Sequence, residues 1–92
     1  MTVTTAFDLA DLLPGEPQGA WILGSGFETA VCLQGVGVAE QHLLVVREGP
    51  RLVVAPLTGR TTELNGHGLI GPAELRPGDF LRLGEEVLTW RG

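Results

Sequence analysis

The chain has 92 residues and carries 11 Asp and Glu against 6 basic residues, which gives a net charge of −5 at pH 7. This length has room for one domain, so we expect residues 1–92 to form a single one. The acidic balance disfavours nucleic-acid partners and anionic membranes, and the single cysteine excludes an internal disulfide.

The N-terminal residues 1–20 give the weakest pattern, and we expect an irregular segment there. The run from Phe7 to Leu13 suits a two-turn helix capped by Thr5. The alternation of Val3, Thr5 and Phe7 suits an edge strand equally well. No signal peptide begins the chain and no apolar run could insert into a membrane, so we expect a cytoplasmic location.

Strand signals become dense after residues 15–19, whose composition predicts a loop. Predicted strands cover 20–23, 30–33, 42–47, 51–55, 61–64, 67–70, 79–83 and 86–90. Glu48-Gly49-Pro50 predicts a hairpin between the third and fourth of these, and Asn65-Gly66 predicts a type I′ turn. Many short strands at regular spacing indicate an all-β sandwich or barrel.

The centres of these strands predict the hydrophobic core. We expect burial of Val31, Val45, Val53, Leu81 and Leu88. Trp21 and Trp90 are expected in the core or at its rim, and Cys32 as a core or half-buried thiol. Both arms of the central hairpin are apolar on both faces, which is typical of strands covered on both sides.

Several short segments between Trp21 and Trp90 share the order and spacing of one known family. They are GSGFETAVCL at 24–33, VAEQHL at 38–43, LNG at 64–66, LRPGD at 75–79, LG at 83–84 and LTW at 88–90. Together they resemble the forkhead-associated (FHA) domain, a β-sandwich that binds phosphothreonine peptides. The resemblance implies a two-sheet sandwich over residues 21–90, with a non-catalytic role in protein–protein interaction and signalling.

The first two loops depart from the family pattern at the positions that contact phosphate. The family has Gly-Arg in its first loop, and this chain has Gly24-Ser25. The family has Ser-Arg-x-His in its second loop, whereas this chain has Ala39 and Glu40 before His42. Because phosphate recognition needs a fixed cation and neutral donors, these changes predict a degenerate site.

The third loop aligns Thr58 with the family's Ser and Arg60 with its Asn, so Arg60 is the one cation that could compensate. Candidate binding residues in the apical loops are Ser25, Phe27, Glu40, Thr58, Arg60 and Asn65. Expected structural residues are Gly24, His42, Gly66, Gly78 and Asp79, with His42 bracing the loops.

The preferred function is therefore a phospho-independent protein-interaction module, of the kind found in bacterial signalling and secretion machinery. We expect a protein partner or self-association, no nucleic acid, no phosphopeptide, no cofactor and no metal. Contacts are expected at an exposed edge strand or through Phe27, Val36 and Leu69 in the loops.

Two alternatives remain open. One is a phosphothreonine-peptide binder with a pocket rearranged around Ser25, Thr58 and Arg60. The other, from a different class, is a small enzyme or ligand-binding β-domain unrelated to FHA. A deep pocket lined by Cys32, His42 and His67 would favour the second alternative.

Overall fold

The computed structural model describes residues 6–13, 15–26, 29, 31–33, 37–57 and 62–91. Ten strands and one short helix lie within these ranges. They are β1 (Ala6–Asp8), α1 (Leu9–Leu12), β2 (Gln18–Gly24), β3 (Val31–Cys32), β4 (Leu43–Glu48), β5 (Arg51–Pro56), β6 (Thr62–Leu64), β7 (His67–Gly68), β8 (Ala73–Leu75), β9 (Phe80–Leu83) and β10 (Glu86–Thr89).

The strands form two five-stranded sheets, which confirms the predicted two-sheet sandwich. One sheet has the order β1-β10-β9-β6-β7 and the other has the order β3-β2-β4-β5-β8. Each sheet contains one parallel pair at an edge, β1 with β10 and β2 with β3. The remaining neighbours are antiparallel.

The core lies between the two sheets and is built from alternate residues of each strand. Its buried hydrophobic members are Leu9, Leu13, Leu23, Val31, Leu33, Leu43, Val45, Leu52, Val54, Leu75, Leu81, Leu83, Leu88 and Trp90. Four of the five predicted core residues are among them. Val53 is the exception, because it lies between the inward-facing Leu52 and Val54 and is only half-buried.

The N-terminal segment contains an edge strand and a helix, although the helix has four residues and not the predicted two turns. β1 pairs with β10, and α1 follows it directly. The helix is capped by the Asp8 carboxylate, which accepts a hydrogen bond from the Ala10 N–H at 3.0 Å, and not by Thr5, which lies outside the described residues. Leu9 and Leu13 then bury their side chains in the core.

Two segments that were not predicted as strands belong to the β3-β2-β4-β5-β8 sheet. Gln18 and Gly19, predicted as loop, extend β2 because they pair with Glu48 and Arg47 at the end of β4. β8 adds a short antiparallel strand to β5. Within the described ranges, no helix has the length and apolarity needed to cross a membrane.

The sandwich has two ends that differ in what they contain. The loop end holds residues 24–26 and 37–42 and the Gly84 turn; a Cβ built on Gly37 would lie 3.0 Å from the Gly84 Cα. β6 and β9 run antiparallel between the two ends, so the residues after β6 lie beside the residues before β9. These residues, Asn65–Gly66 and 76–79, form the turn end. Positive φ angles at Asn65 (53°) and Gly66 (84°) confirm the predicted type I′ turn.

Candidate functional site

The first loop, residues 24–26, and the second loop, residues 37–42, are joined through their main chains. The Ser25 N–H donates to the Ala39 carbonyl at 2.9 Å, and the Gly26 N–H donates to the Glu40 carbonyl at 3.1 Å. The Thr29 hydroxyl closes the first loop by donating to the Gly26 carbonyl at 2.7 Å. The two loops therefore form one bonded unit at the loop end.

Gly24 allows these loops to approach each other. A Cβ at this position would lie 2.2 Å from the Glu40 carbonyl oxygen and 2.7 Å from the Ala39 carbonyl oxygen. Both contacts are with main chain, which cannot move aside as a flexible side chain can. The structural role expected for Gly24 thus has a steric basis in this structure.

His42 is fully buried directly beneath the second loop. Its Nδ1 accepts a hydrogen bond from the Ala39 N–H at 2.9 Å, which requires the ring to be unprotonated at that nitrogen. The main-chain N–H of His42 donates to the Leu23 carbonyl at 2.9 Å, and its main-chain carbonyl accepts from the Leu57 N–H at 3.0 Å. His42 therefore links the second loop to β2 and to the chain that leaves β5.

The polar side chains of the loop end offer little to an anion. The Ser25 hydroxyl donates to the Val38 carbonyl at 3.2 Å, within the loop unit itself. Ala39 has no side-chain donor, and Glu40 places an exposed carboxylate beside it. The described part of the first and second loops holds no Arg or Lys.

Asn65 does not lie with these loops, and its predicted place in the apical binding surface is wrong. It lies at the turn end, because β6 carries the chain away from the third loop before the turn begins. Its amide donates to the Asp79 carboxylate at 2.9 Å and its carbonyl oxygen accepts from the Phe80 N–H at 3.0 Å. Both functional groups of the side chain are thus engaged in holding the turn.

Asp79 completes this arrangement at the turn end. Its second carboxylate oxygen accepts a hydrogen bond from the Arg76 N–H at 2.8 Å across Gly78, while the Asp79 N–H donates to the Arg76 carbonyl. The Arg76 main-chain hydrogen bond, aided by the Asn65 amide, holds the pKa of Asp79 below its usual value. Asp79, Asn65 and Gly66 therefore stabilise paired turns far from the loop end.

Several residues proposed to contact a partner lie outside the described residues: Phe27, Val36, Thr58 and Arg60. Leu69, from the same proposal, is half-buried and packs against the core. The sequence pattern did not single out its neighbour Ile70, which is 99% exposed. Glu86, at the start of β10, is half-buried.

The structure does not bring together Cys32, His42 and His67, which a deep pocket of the second alternative would combine. Cys32 is exposed on the outward side of β3, so its prediction as a core or half-buried thiol is wrong. His42 is buried at the loop end, whereas His67 is exposed next to the Asn65–Gly66 turn. Among the described residues, no group of three or more His, Cys, Asp or Glu side chains is arranged to hold a metal ion.

Comparison with known proteins gives one consistent family. The FHA domain model matches residues 21–84. Among solved structures, the FhaA FHA domain in complex with the intracellular domain of Rv3910 is 28% identical, with a TM-score of 0.70 and coverage of 76% of this chain and 77% of that one. A structure from work on phosphothreonine-dependent FHA domain interactions is also 28% identical, with a TM-score of 0.70 and coverage of 76% and 73%.

More distant structures share the fold. The FHA domain of the CT664 protein from Chlamydia trachomatis is 15% identical, with a TM-score of 0.72 and coverage of 78% of this chain and 74% of that one. The N-terminal FHA domain of S. cerevisiae Rad53p, in complex with a phosphothreonine peptide, is 19% identical, with a TM-score of 0.64 and coverage of 84% and 67%. No curated protein matches the chain.

Proposed function

The chain belongs to the FHA domain family of non-catalytic protein-interaction modules, and on that premise we propose that its loop end binds a protein partner without requiring a phosphate group. Hydrogen bonding within the loop end supports this proposal most directly. The Ser25 hydroxyl donates its one proton to the Val38 carbonyl, and the N–H groups of Ser25 and Gly26 donate to the second loop. A phosphate at this position would have to displace those bonds.

Electrostatics support the same conclusion. A phosphate monoester is recognised by a fixed cation, preferably a guanidinium, together with neutral donors. The described loop residues 24–26, 29 and 37–42 present the carboxylate of Glu40 and no Arg or Lys. A carboxylate close to a dianion raises the free energy of binding, and the net charge of −5 slows the approach of an anionic peptide.

A second candidate is a phosphothreonine-peptide binder that uses Thr58 and Arg60 of the third loop. The family and two relatives support it, since one 28% identical structure comes from work on phosphothreonine-dependent interactions and the Rad53p domain was solved with a phosphothreonine peptide. Arg60 would have to supply the cation that Ser25 lacks. The two candidates differ in one measurable property, which is the dependence of affinity on phosphate.

Titration of a degenerate phosphothreonine peptide library and its unphosphorylated counterpart at low salt separates them. We expect no preference for the phosphorylated form. The loss of two charge-assisted contacts of about 1.5–3 kcal/mol each lowers affinity by roughly two to four orders of magnitude. Micromolar, phosphate-dependent binding that Arg60→Ala abolishes, and that the exposed turn-end control Arg76→Ala retains, would establish the second candidate instead.

A gain-of-function variant tests the same proposal from the other direction. Ser25→Arg, Ala39→Ser and Glu40→Arg together restore the family's residues on the first two loops. We expect this triple variant to bind phosphothreonine peptides in preference to unphosphorylated ones. If the variant folds and shows no preference, the lost side chains are not the reason for phosphate independence.

A further inference from the structure

The outward face of the β3-β2-β4-β5-β8 sheet is apolar at its centre. Strand register places its outward residues in two rows across β2, β4 and β5, one containing Ala20, Val46 and Val53 and the other Ile22, Leu44 and Ala55. We call these six residues the apolar face. Ala20 is exposed and the other five are half-buried.

The outward face of the opposite sheet has a different composition. Glu63, Arg82 and Val87 lie side by side across β6, β9 and β10, and Asp8 pairs with Thr89 at the edge. Outward positions of an antiparallel sheet that faces water are normally polar in this way. Phe80 and Val87 also lie on this second face, but they share it with the charged Asp8, Glu63 and Arg82, whereas the apolar face is continuous across three strands. A contiguous apolar patch of this kind marks an interaction surface.

The rim of the apolar face carries both signs of charge. Glu48 and Arg51 are directly paired in the row that follows Val46 and Val53. The Arg51 Nε also contacts the Glu74 carboxylate on β8 at 2.5 Å, and both side chains remain largely exposed. The hydrogen bond with Glu74 and the charge of that carboxylate, followed by the charge of Glu48, raise the pKa of Arg51, so the guanidinium lies in the field of both carboxylates.

We propose that the apolar face is the contact surface of a homodimer, in which two copies pack their β4–β5 strands face to face about a two-fold axis parallel to those strands. Within one chain, each β4 residue pairs with a particular β5 residue. This symmetry places the β4 residue opposite that same β5 residue of the second copy. Val46 then faces the partner's Val53, and Leu44 faces the partner's Ala55, a large side chain against a small one. Aligned packing of two sheets about 10 Å apart has this geometry.

Charge complementarity selects a second copy as the occupant. In the same arrangement Glu48 lies opposite the partner's Arg51, and Arg51 opposite the partner's Glu48. Arg51 can accept a second carboxylate beside Glu74, because a guanidinium carries five donor hydrogens. Two chains of net charge −5 repel each other over most of their surfaces, and this face gives them two attractive pairs instead.

The arrangement has a consequence for partner binding. Since the axis is parallel to the strands, the loop ends of both copies point in the same direction. The dimer would therefore present two loop ends to one partner or to one surface, and bivalent binding raises the effective affinity without new contacts. This contact surface is the outward face of the sheet and contains none of residues 24–26 and 37–42, so it does not depend on what those loops bind.

Sedimentation velocity over roughly a hundredfold range of protein concentration tests the proposal. We expect a concentration-dependent monomer–dimer equilibrium. Val46→Glu is expected to raise the dimer Kd by about thirtyfold or more, because it places a charge at the centre of the contact. Val87→Glu, an equally half-buried outward position on the opposite sheet, is the matched control and should leave the Kd within about twofold.

A charge exchange tests the position of the axis. Glu48→Arg opposes two Arg side chains across the contact and Arg51→Glu opposes two Glu side chains, so each variant alone should lose roughly tenfold in self-affinity. An equimolar mixture of the two variants should form a heterodimer with wild-type affinity, since both pairs are rebuilt. A wild-type chain that stays monomeric, a dimer that Val46→Glu leaves intact, or a mixture that does not associate would overturn the proposal.

Discussion

The loop end and the turn end of the sandwich differ in the groups that form their hydrogen bonds. At the loop end, the first and second loops are joined mainly by main-chain donors and acceptors, such as the Ser25 N–H and the Ala39 carbonyl. At the turn end, the side chains of Asn65 and Asp79 form the bonds that hold two turns together.

This difference explains how the side chains of the first two loops can vary while the loop unit is kept. Main-chain hydrogen bonds do not depend on side-chain identity, so Ser25, Ala39 and Glu40 can replace the family's residues without breaking the loop unit. The turn end has no such freedom, because its bonds require an amide at 65 and a carboxylate at 79. Within the described part of the loop end, residue identity matters most at Gly24, where packing is tight, and at His42 and Thr29, whose side chains bond to main-chain groups.

The largest effect is expected from Gly24→Ala. The new Cβ would overlap the carbonyl oxygens of Ala39 and Glu40, and the loops would have to separate to relieve it. We expect a loss of about 3 kcal/mol or more in the free energy of unfolding, measured by urea denaturation.

Gly66→Ala is the matched control for Gly24→Ala at the turn end. No atom lies within 4 Å of a Cβ built on Gly66, so the substitution is unfavourable only because an alanine must adopt the left-handed φ of 84°. That cost is about 1–2 kcal/mol. Equal losses for the two variants would contradict the view that close approach, and not backbone conformation, distinguishes the loop end.

The next largest effect is expected from His42→Ala. The change leaves a cavity beneath the second loop and removes the acceptor of the Ala39 N–H, which together should cost about 2–3 kcal/mol. Amide hydrogen exchange should accelerate at Ala39 and not at Phe80. His42→Asn, whose side-chain oxygen occupies the place of Nδ1, should restore protection of Ala39 in part; no restoration would mean that packing alone holds the loop.

A smaller effect is expected from Asn65→Ala at the turn end. The change removes two side-chain hydrogen bonds and a residue tolerant of positive φ, for an expected loss of about 1–2 kcal/mol. Asn65→Gly tolerates the positive φ, so it should lose only the part of the unfolding free energy that comes from the two hydrogen bonds. Partner binding should be unchanged in both folded variants. Weakened binding would show that Asn65 contacts the partner after all.

The sequence predicted the elements whose signals are local. The β4–β5 hairpin and the Asn65–Gly66 turn follow from residue types within a few positions of the turn itself. At the hairpin centre, which is apolar on both faces, Val53 was assigned to the inward face, whereas Leu52 and Val54 are the inward residues. Period-two alternation shows which residues share a face, and an apolar run on both faces does not show which side is inward.

Features set by distant pairing were missed. β8 is a three-residue strand that exists because β5 offers it an edge, and Gln18 and Gly19 become strand because β4 extends beside them. Asn65 was predicted among the apical binding residues, although its Asn-Gly pair follows the third loop in sequence. The three residues of β6 span about 10 Å, which is enough to carry the turn to the other end of the sandwich.

The smallest effect, and the most specific to the turn end, is expected from Asp79→Asn. Because folding lowers the pKa of Asp79, its carboxylate stabilises the fold fully above the unfolded value of about 3.9, and this stability is lost as the pH falls through the lower folded value. Wild type should therefore exceed the variant in unfolding free energy by a constant amount between about pH 5 and pH 7, and by less at about pH 3.

Urea denaturation of both proteins at these pH values measures that difference. Amide exchange at Ala39 in the variant should match wild type throughout, since the loop end shares no hydrogen bond with the Asp79 carboxylate. A gap that widens on acidification would mean that the protonated side chain is the better partner for Arg76 and Asn65. That result would invert the electrostatic account of the turn end, while leaving the main-chain account of the loop end untouched.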